Sequence, residues 1–254
     1  MKKDPTSGLP EDVKVMYNSE NGWRSKSFLE TLTKHGDELE NMIQTMNIFD
    51  IWSDRLQRVE VSKIMIPEMF MDGYISIHFS CYGLYKYANM CLRSQLETNL
   101  RLIYFATHRV EFNWWSNGNK WYRSGMGKRD VWGDGYKYFE ELESIKKFDQ
   151  KCTSERKLFT GGGVVGRIYS TLSDYVHSGK PSFQIRSNEF SPKYKIDQFK
   201  KWSSNFKAVQ ECTQVLLALG FINEFRGLRR TEKERILKTS IKTDYQKILQ
   251  EIGS

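Results

Sequence analysis

Four histidines are spread along this 254-residue chain, and one of them closes the stretch TLSDYVHSGKP, residues 171–181. Imidazole exchanges protons near neutral pH, so each histidine is a candidate for acid–base chemistry. Gly179 is placed to end a helix and Pro181 to prevent its continuation, which puts His177 in the last turn. There the negative end of the helix dipole favours the imidazolium form. Ser173 and Asp174, four and three residues earlier, share its face, and Ser170 returns to that face. Asp174 is placed to orient the ring or to support its positive charge. The opposite stripe, Ile168, Leu172, Tyr175 and Val176, is apolar, so this helix can bury one side and present the other. His177 in such a place is either a general acid/base or a C-capping residue bonded to nearby carbonyls, and both readings stand.

Arg93, Glu97 and Arg101 follow one another at spacings of four and form a ladder on one helix face. The residues between them, Leu92, Leu96, Leu100, Ile103 and Tyr104, predict that little of this helix is free in water. A buried carboxylate needs a partner. Glu97 can satisfy itself with one arginine and leave the second guanidinium for Asp174 or for an anionic ligand. A plain surface ion-pair ladder is the alternative.

The segments LRSQLETNLRLIYF and IYSTLSDYVHSG together resemble a group of bacterial helical domains in which an R-x-x-x-E helix packs against a helix ending L-S-x-x-x-H. Those domains are similar to the HEPN superfamily, and the resemblance covers roughly residues 70–225. It implies an all-helical fold, RNA as a partner, a role in phage defence or toxicity, and a site that can form across a homodimer. Active members of that superfamily carry an R-x4–6-H motif that acts on the scissile phosphate and the 2′-hydroxyl without a metal. By that resemblance His177, helped by Asp174 and Ser173, is the acid/base, and Arg93 or Arg101 neutralises the phosphate.

The stretch around His177 departs from the motif. Nine residues separate Arg167 from His177, which on a straight helix sets them about 15 Å apart along the axis and about 80° apart around it. Arg101 and His108 have six residues between them and face the same way, so they match the motif's spacing. Of the other two histidines, His78 stands among aromatics and reads as a core residue. His35 precedes Gly36 on a polar face and reads as solvated.

The formal net charge of +8 suits an acidic partner such as RNA, or simply solubility. In the stretch 113–135, Trp114, Trp115, Trp121 and Trp132 alternate with Lys120, Arg123, Lys128 and Arg129. Such interleaving can stack bases and clamp a nucleic-acid backbone, and Arg167 joins the same candidate surface. The stretch at about 113–135 is expected to be an ordered loop held down by its own indoles, with nucleic-acid binding and a protein interface as the functional alternatives.

Several chemistries are excluded by what their motifs require. The four cysteines lack metal-ligand spacing, and no metal or other cofactor is expected. FTGGGVVGR lacks the GxxxxGK[ST] pattern and a preceding strand, so it reads as a helix start with close backbone packing. No serine-hydrolase elbow is present. There is no secretory signal and no apolar run of eighteen residues, which predicts a cytosolic protein with no membrane span.

The elements that must position these residues are helices. Residues 1–22, with Pro5, Gly8, Pro10 and Gly22, read as a loose arm, and 23–254 as one helical domain. Apolar periodicity predicts helices over 25–51, 54–65 up to Pro67, about Met69 to His108, 136–148, Lys195 to Arg226 and Glu232 to Glu251. The expected fold is all-α, an irregular bundle around the long central helix 69–108, with Gly73 or Gly83 able to divide it.

Overall fold

A computed structural model describes residues 11–118, 134–160, 162–177, 193–241 and 243–252, and among these the regular structure is entirely helical. The helices are α1 (Glu11–Met46), α2 (Phe49–Arg55), α3 (Ser62–Cys81), α4 (Tyr85–Thr107), α5 (Arg109–Ser116) and α6 (Asp134–Glu141). They continue as α7 (Glu143–Lys151), α8 (Val164–Val176), α9 (Ile196–Gly220), α10 (Ile222–Arg226), α11 (Arg230–Ser240) and α12 (Thr243–Ile252). No helix among the described residues is long and apolar enough to cross a membrane.

The helix expected over 54–65 is interrupted by turns at 56–61, and the loop expected from 113 begins only after α5, at Ser116. Three further boundaries are corrected. The segment read as an arm is helical from Glu11, because good helix formers outweigh the cost of Gly22, about 1 kcal/mol. Pro67 lies inside α3 instead of ending a helix. Both it and Lys63, whose carbonyl it leaves without an N–H partner, are exposed, so water can take that bond. The central rod is two helices. Gly83 turns the chain at φ +74°, and a Cβ there would come within 2.6 Å of the Lys193 carbonyl oxygen. Only glycine fits both demands.

Helices α3 and α4 therefore form an antiparallel hairpin. Gln95 Nε2 donates to the Met69 carbonyl at 2.9 Å, and Ser76 Oγ to the Ala88 carbonyl at 2.8 Å. The most enclosed element is α9, which is buried almost all round from Val209 to Leu219. Trp202, Phe206, Val215 and Leu216 on α9 join Leu92, Leu96 and Leu100 on α4 in one core.

That core contains a seam of amides. Asn205 Nδ2 donates to Asn89 Oδ1 at 2.8 Å, Gln210 Nε2 to Gln95 Oε1 at 2.7 Å, and Asn99 Nδ2 to the Thr213 carbonyl at 3.3 Å. Trp52 Nε1 donates to Gln214 Oε1 at 2.7 Å, and Trp202 Nε1 to Ser76 Oγ at 2.9 Å. Each bond satisfies one donor and one acceptor that would be costly to bury alone, although Asn99 Oδ1, Gln210 Oε1 and Gln214 Nε2 find no partner among the described residues, and together the bonds fix the register of α9 on the hairpin.

At the edge of the hairpin, burial pushes the Asp72 carboxyl up to about 6, Glu68 adds to the rise, and a hydrogen bond from Ser94 opposes it. The folded state thus holds a proton that the unfolded chain releases near 3.8. Asp72 is compatible with folding below that point, and it costs stability as pH rises through about 6. Asp72→Asn is expected to stabilise the protein at pH 7 by about 1–2 kcal/mol and to change little below pH 4. Urea titrations of both proteins at the two pH values measure the difference.

Candidate functional site

The arginine–glutamate ladder forms as expected on α4. Arg93 Nε lies 3.0 Å from Glu97 Oε1, and Arg101 Nη2 lies 3.5 Å from Glu97 Oε2. The two arginines are not equivalent. Arg93 Nη2 also donates to Tyr169 Oη at 2.6 Å, and its guanidinium sits 4.7 Å from the centre of that ring. Tyr169 belongs to α8, so Arg93 ties α8 to α4. Arg101 is the outer rung, with 30% of its side chain exposed against 16% for Arg93.

Losing the phenol hydroxyl removes a charge-assisted bond and keeps the ring beneath the guanidinium. Tyr169→Phe is expected to lower stability by about 1–2 kcal/mol in denaturant titrations.

His177 does not meet the ladder. Tyr169 contacts Arg93, whereas Tyr175 bonds Asn205, which in turn bonds Asn89. Helix α8 therefore runs antiparallel to α4. His177 lies eight residues beyond Tyr169 in one direction, and Arg101 eight residues beyond Arg93 in the other, each about 12 Å along its helix. His177 caps the C-terminus of α8 and is exposed; its backbone N–H donates to the Ser173 carbonyl at 3.0 Å. Asp174 is half-buried, and Ser173 Oγ is buried with no hydrogen-bond partner among the described residues. The polar stripe is real as a sequence pattern, but the antiparallel run of α8 places its His177 end at the opposite end of the α8–α4 contact from Arg101.

His108 sits at the other end of the ladder. It caps α4, with its ring stacked on Tyr104 at 3.8 Å and 8°, and the edge of Tyr138 completes the pocket at 5.0 Å. Its Nδ1 lies 2.8 Å from the Tyr104 carbonyl and 2.9 Å from Thr107 Oγ1. A carbonyl only accepts, so Nδ1 carries the hydrogen. In the neutral ring Nε2 then holds the free lone pair, the arrangement a general base needs. Thr107 Oγ1 also lies 2.9 Å from Tyr138 Oη, which fixes the second wall. Arg101, Tyr104 and His108 recur at three and four residues, so they share one side of α4.

Arg167 serves the loop before α8. Its guanidinium donates to the Gly162 carbonyl at 2.8 Å and to the Glu155 carbonyl. Lys120, Trp121, Arg123, Lys128, Arg129 and Trp132 lie outside the described residues. Of the indoles nearer the helices, Trp115 packs on Phe105 and Phe112, whereas Trp114 is 39% exposed.

The glycine-rich stretch is a close-packed helix start, as expected. A Cβ on Gly163 would lie 2.2 Å from the Leu158 carbonyl oxygen, and Gly162 takes φ +77°. The anchor of this loop escaped sequence reasoning. Asp149, buried on α7, accepts from the backbone N–H groups of Leu158, Phe159 and Thr160 at 2.6, 3.1 and 3.2 Å. The Thr160 hydroxyl adds a fourth bond at 3.0 Å.

The readings of His35 and His78 are reversed. His78 is exposed on α3 and touches only the side of Tyr74 among the described rings. His35 is the enclosed one, with 12% of its side chain exposed. It stacks on Phe199 at 3.8 Å, its Nε2 lies 2.9 Å from Tyr194 Oη, and its Nδ1 lies 3.5 Å from Glu38 Oε2. The backbone of α1 breaks at His35, with φ −136° and ψ 19°, which swings the ring inward. The His35-Gly36 pair marks that kink in the sequence, but the stacking partner lies on α9, far along the chain.

All four cysteines are free, with Cys81 and Cys212 buried. Burial pushes the thiols of Cys81, Cys91 and Cys152 up to about 11, so they are held as inert apolar groups. No group of three or more metal-binding side chains occurs among the described residues. Comparison of the chain with protein-family models, curated proteins and solved structures found no match.

Proposed function

We propose that the protein is an HEPN-like, metal-independent ribonuclease whose working pair is Arg101 and His108. The observation that carries this reading is the 2.8 Å contact of His108 Nδ1 with the Tyr104 carbonyl, which leaves Nε2 as the free base at the outer end of the ladder. In this mechanism Nε2 takes the proton of a ribose 2′-hydroxyl. The freed oxygen attacks phosphorus, the bond to the 5′-oxygen breaks, and that oxygen takes a proton from solvent. Arg101 balances the charge that develops on the phosphate, and Glu97 holds Arg101 in place. The net charge of +8 draws RNA towards the protein. The resemblance to HEPN proteins favours a role in defence or toxicity, with a homodimer as the working unit. Here Arg93 is a structural tie, and His177, Asp174 and Ser173 stand apart from the reaction.

The test is incubation of pure protein with total RNA in the presence of EDTA. Cleavage leaving 2′,3′-cyclic phosphate ends is expected, and intact RNA would overturn the proposal. A second reading rests on the double engagement of Arg93: the whole cluster is a network that fixes helix packing in a non-catalytic binding module. It predicts that substitutions at Arg101 and His108 move the melting temperature and nothing else.

A further inference from the structure

Helix α3 buries one side, through Met65, Ile66, Met69, Gly73 and Ile77, and leaves a second apolar stripe in solvent. On that outer side Ile64, Met71 and Tyr74 are 43%, 46% and 37% exposed. Pro67, Glu68 and His78 beside them are exposed as well. Ile64, Pro67, Met71, Tyr74 and His78 follow one another at steps of three, four, three and four. That is the spacing by which one helix packs lengthwise on another. We propose that this stripe pairs with its own copy, α3 against α3, antiparallel about a two-fold axis.

Neighbouring rings widen the stripe. Phe70 stacks on Tyr74 at 5.9 Å, and Phe79 meets Tyr87 of α4 at 6.1 Å, with Tyr87 itself 44% exposed. A contiguous patch of exposed apolar side chains marks an interaction surface. Met71, unbranched and polarisable, adapts to an opposing ring.

The order of the residues selects a second copy and a direction. A two-fold axis sets each position of the stripe against another position of the same stripe, so the stripe must complement itself. In the antiparallel alignment centred between Met71 and Tyr74, Met71 lies against Tyr74 of the partner subunit, and the axis repeats the contact. The same alignment sets His78 against Pro67 of the partner subunit, beside Glu68 of the partner subunit. Imidazole donates an N–H to a carboxylate in either protonation state, so a donor meets an acceptor at each end. In a parallel pairing equal positions meet, and each imidazole would face a second imidazole. The role of such a dimer rests on the ribonuclease reading, in which a homodimer is the working unit, whereas the contact itself rests on α3.

The experiment is sedimentation equilibrium of the full chain over about 1–100 μM at pH 7, with RNA cleavage assayed separately. Twice the mass of one chain is expected at the upper concentrations. Met71→Glu, an exposed change, is expected to weaken association by at least about a hundredfold, because the axis brings two unpaired carboxylates into the contact. Glu68→Lys is expected to weaken it by about tenfold, and adding His78→Glu to restore it, because the pair is then exchanged and kept. Melting curves check that each variant is folded. A monomeric wild type would overturn the proposal, as would a Met71→Glu variant that dimerises like wild type. A double variant no stronger than Glu68→Lys would overturn the antiparallel alignment. Mass and cleavage fail separately: a dimer that leaves RNA intact overturns only the ribonuclease reading, and a monomer that cleaves overturns only the pairing.

Discussion

His108→Ala is expected to lower metal-free RNA cleavage by about 10²–10⁴-fold, the range that a positioned general base supplies. The imidazole is held by three groups at once: the Tyr104 ring beneath it, the Tyr104 carbonyl at Nδ1, and the edge of Tyr138. Such positioning leaves the ring little freedom to lose on binding substrate. Arg101→Ala should produce a comparable loss, and Arg101→Lys a partial one, because a lysine keeps the charge but not the planar fork. The stability cost is small by comparison. Losing the stack and one hydrogen bond should cost about 1–2 kcal/mol, so melting curves taken beside the cleavage assay separate chemistry from folding. His177→Ala is the internal control and is expected to cleave like wild type. Equal cleavage by wild type and His108→Ala would remove the assignment, and loss of cleavage only in His177→Ala would move the site to the end of α8.

Asp149→Ala is expected to be the most damaging substitution for the fold, at about 3–5 kcal/mol. Its carboxylate gathers three consecutive backbone N–H groups and one hydroxyl. Leu158 and Phe159 in that same turn are 0% and 1% exposed, and Phe159 stacks on Phe139 at 5.2 Å. Removing the carboxylate leaves buried donors without acceptors and also loosens a core anchor. That is a large share of the 5–15 kcal/mol that holds a typical domain together. Asp149→Asn, which keeps one acceptor oxygen, should fall between the two. Lys151→Ala removes only an exposed pair with Glu251 and should cost less than about 1 kcal/mol. Denaturant titration of the three variants gives the order, and near-equal stabilities would show that the loop is held by its apolar side chains alone.

The all-α class was legible because apolar residues recur at helical spacing over most of the chain. The Arg93–Glu97–Arg101 ladder was legible for the same reason: residues four apart on one helix must be neighbours. The division of the central rod was half-legible, since Gly83 was visible but the approach of Lys193 that demands a glycine was not. The amides at Asn89, Gln95 and Asn99 fall inside an apolar stripe, and that break in the pattern is the signal by which the polar seam could have been found.

The sequence by itself determined the helical class, the ladder on α4, the glycine-rich start of α8 and the shared side of Arg101 and His108. All of these rest on neighbours within a few residues, where helix geometry leaves one answer. Tertiary structure alone decided that His177 and Arg101 lie at opposite ends of the α8–α4 contact, that His35 and not His78 is enclosed, and that Asp149 anchors a loop ten residues on. Those outcomes depend on the direction in which one helix crosses another and on which long-range partner fills each gap. Short-range periodicity carries no information about either.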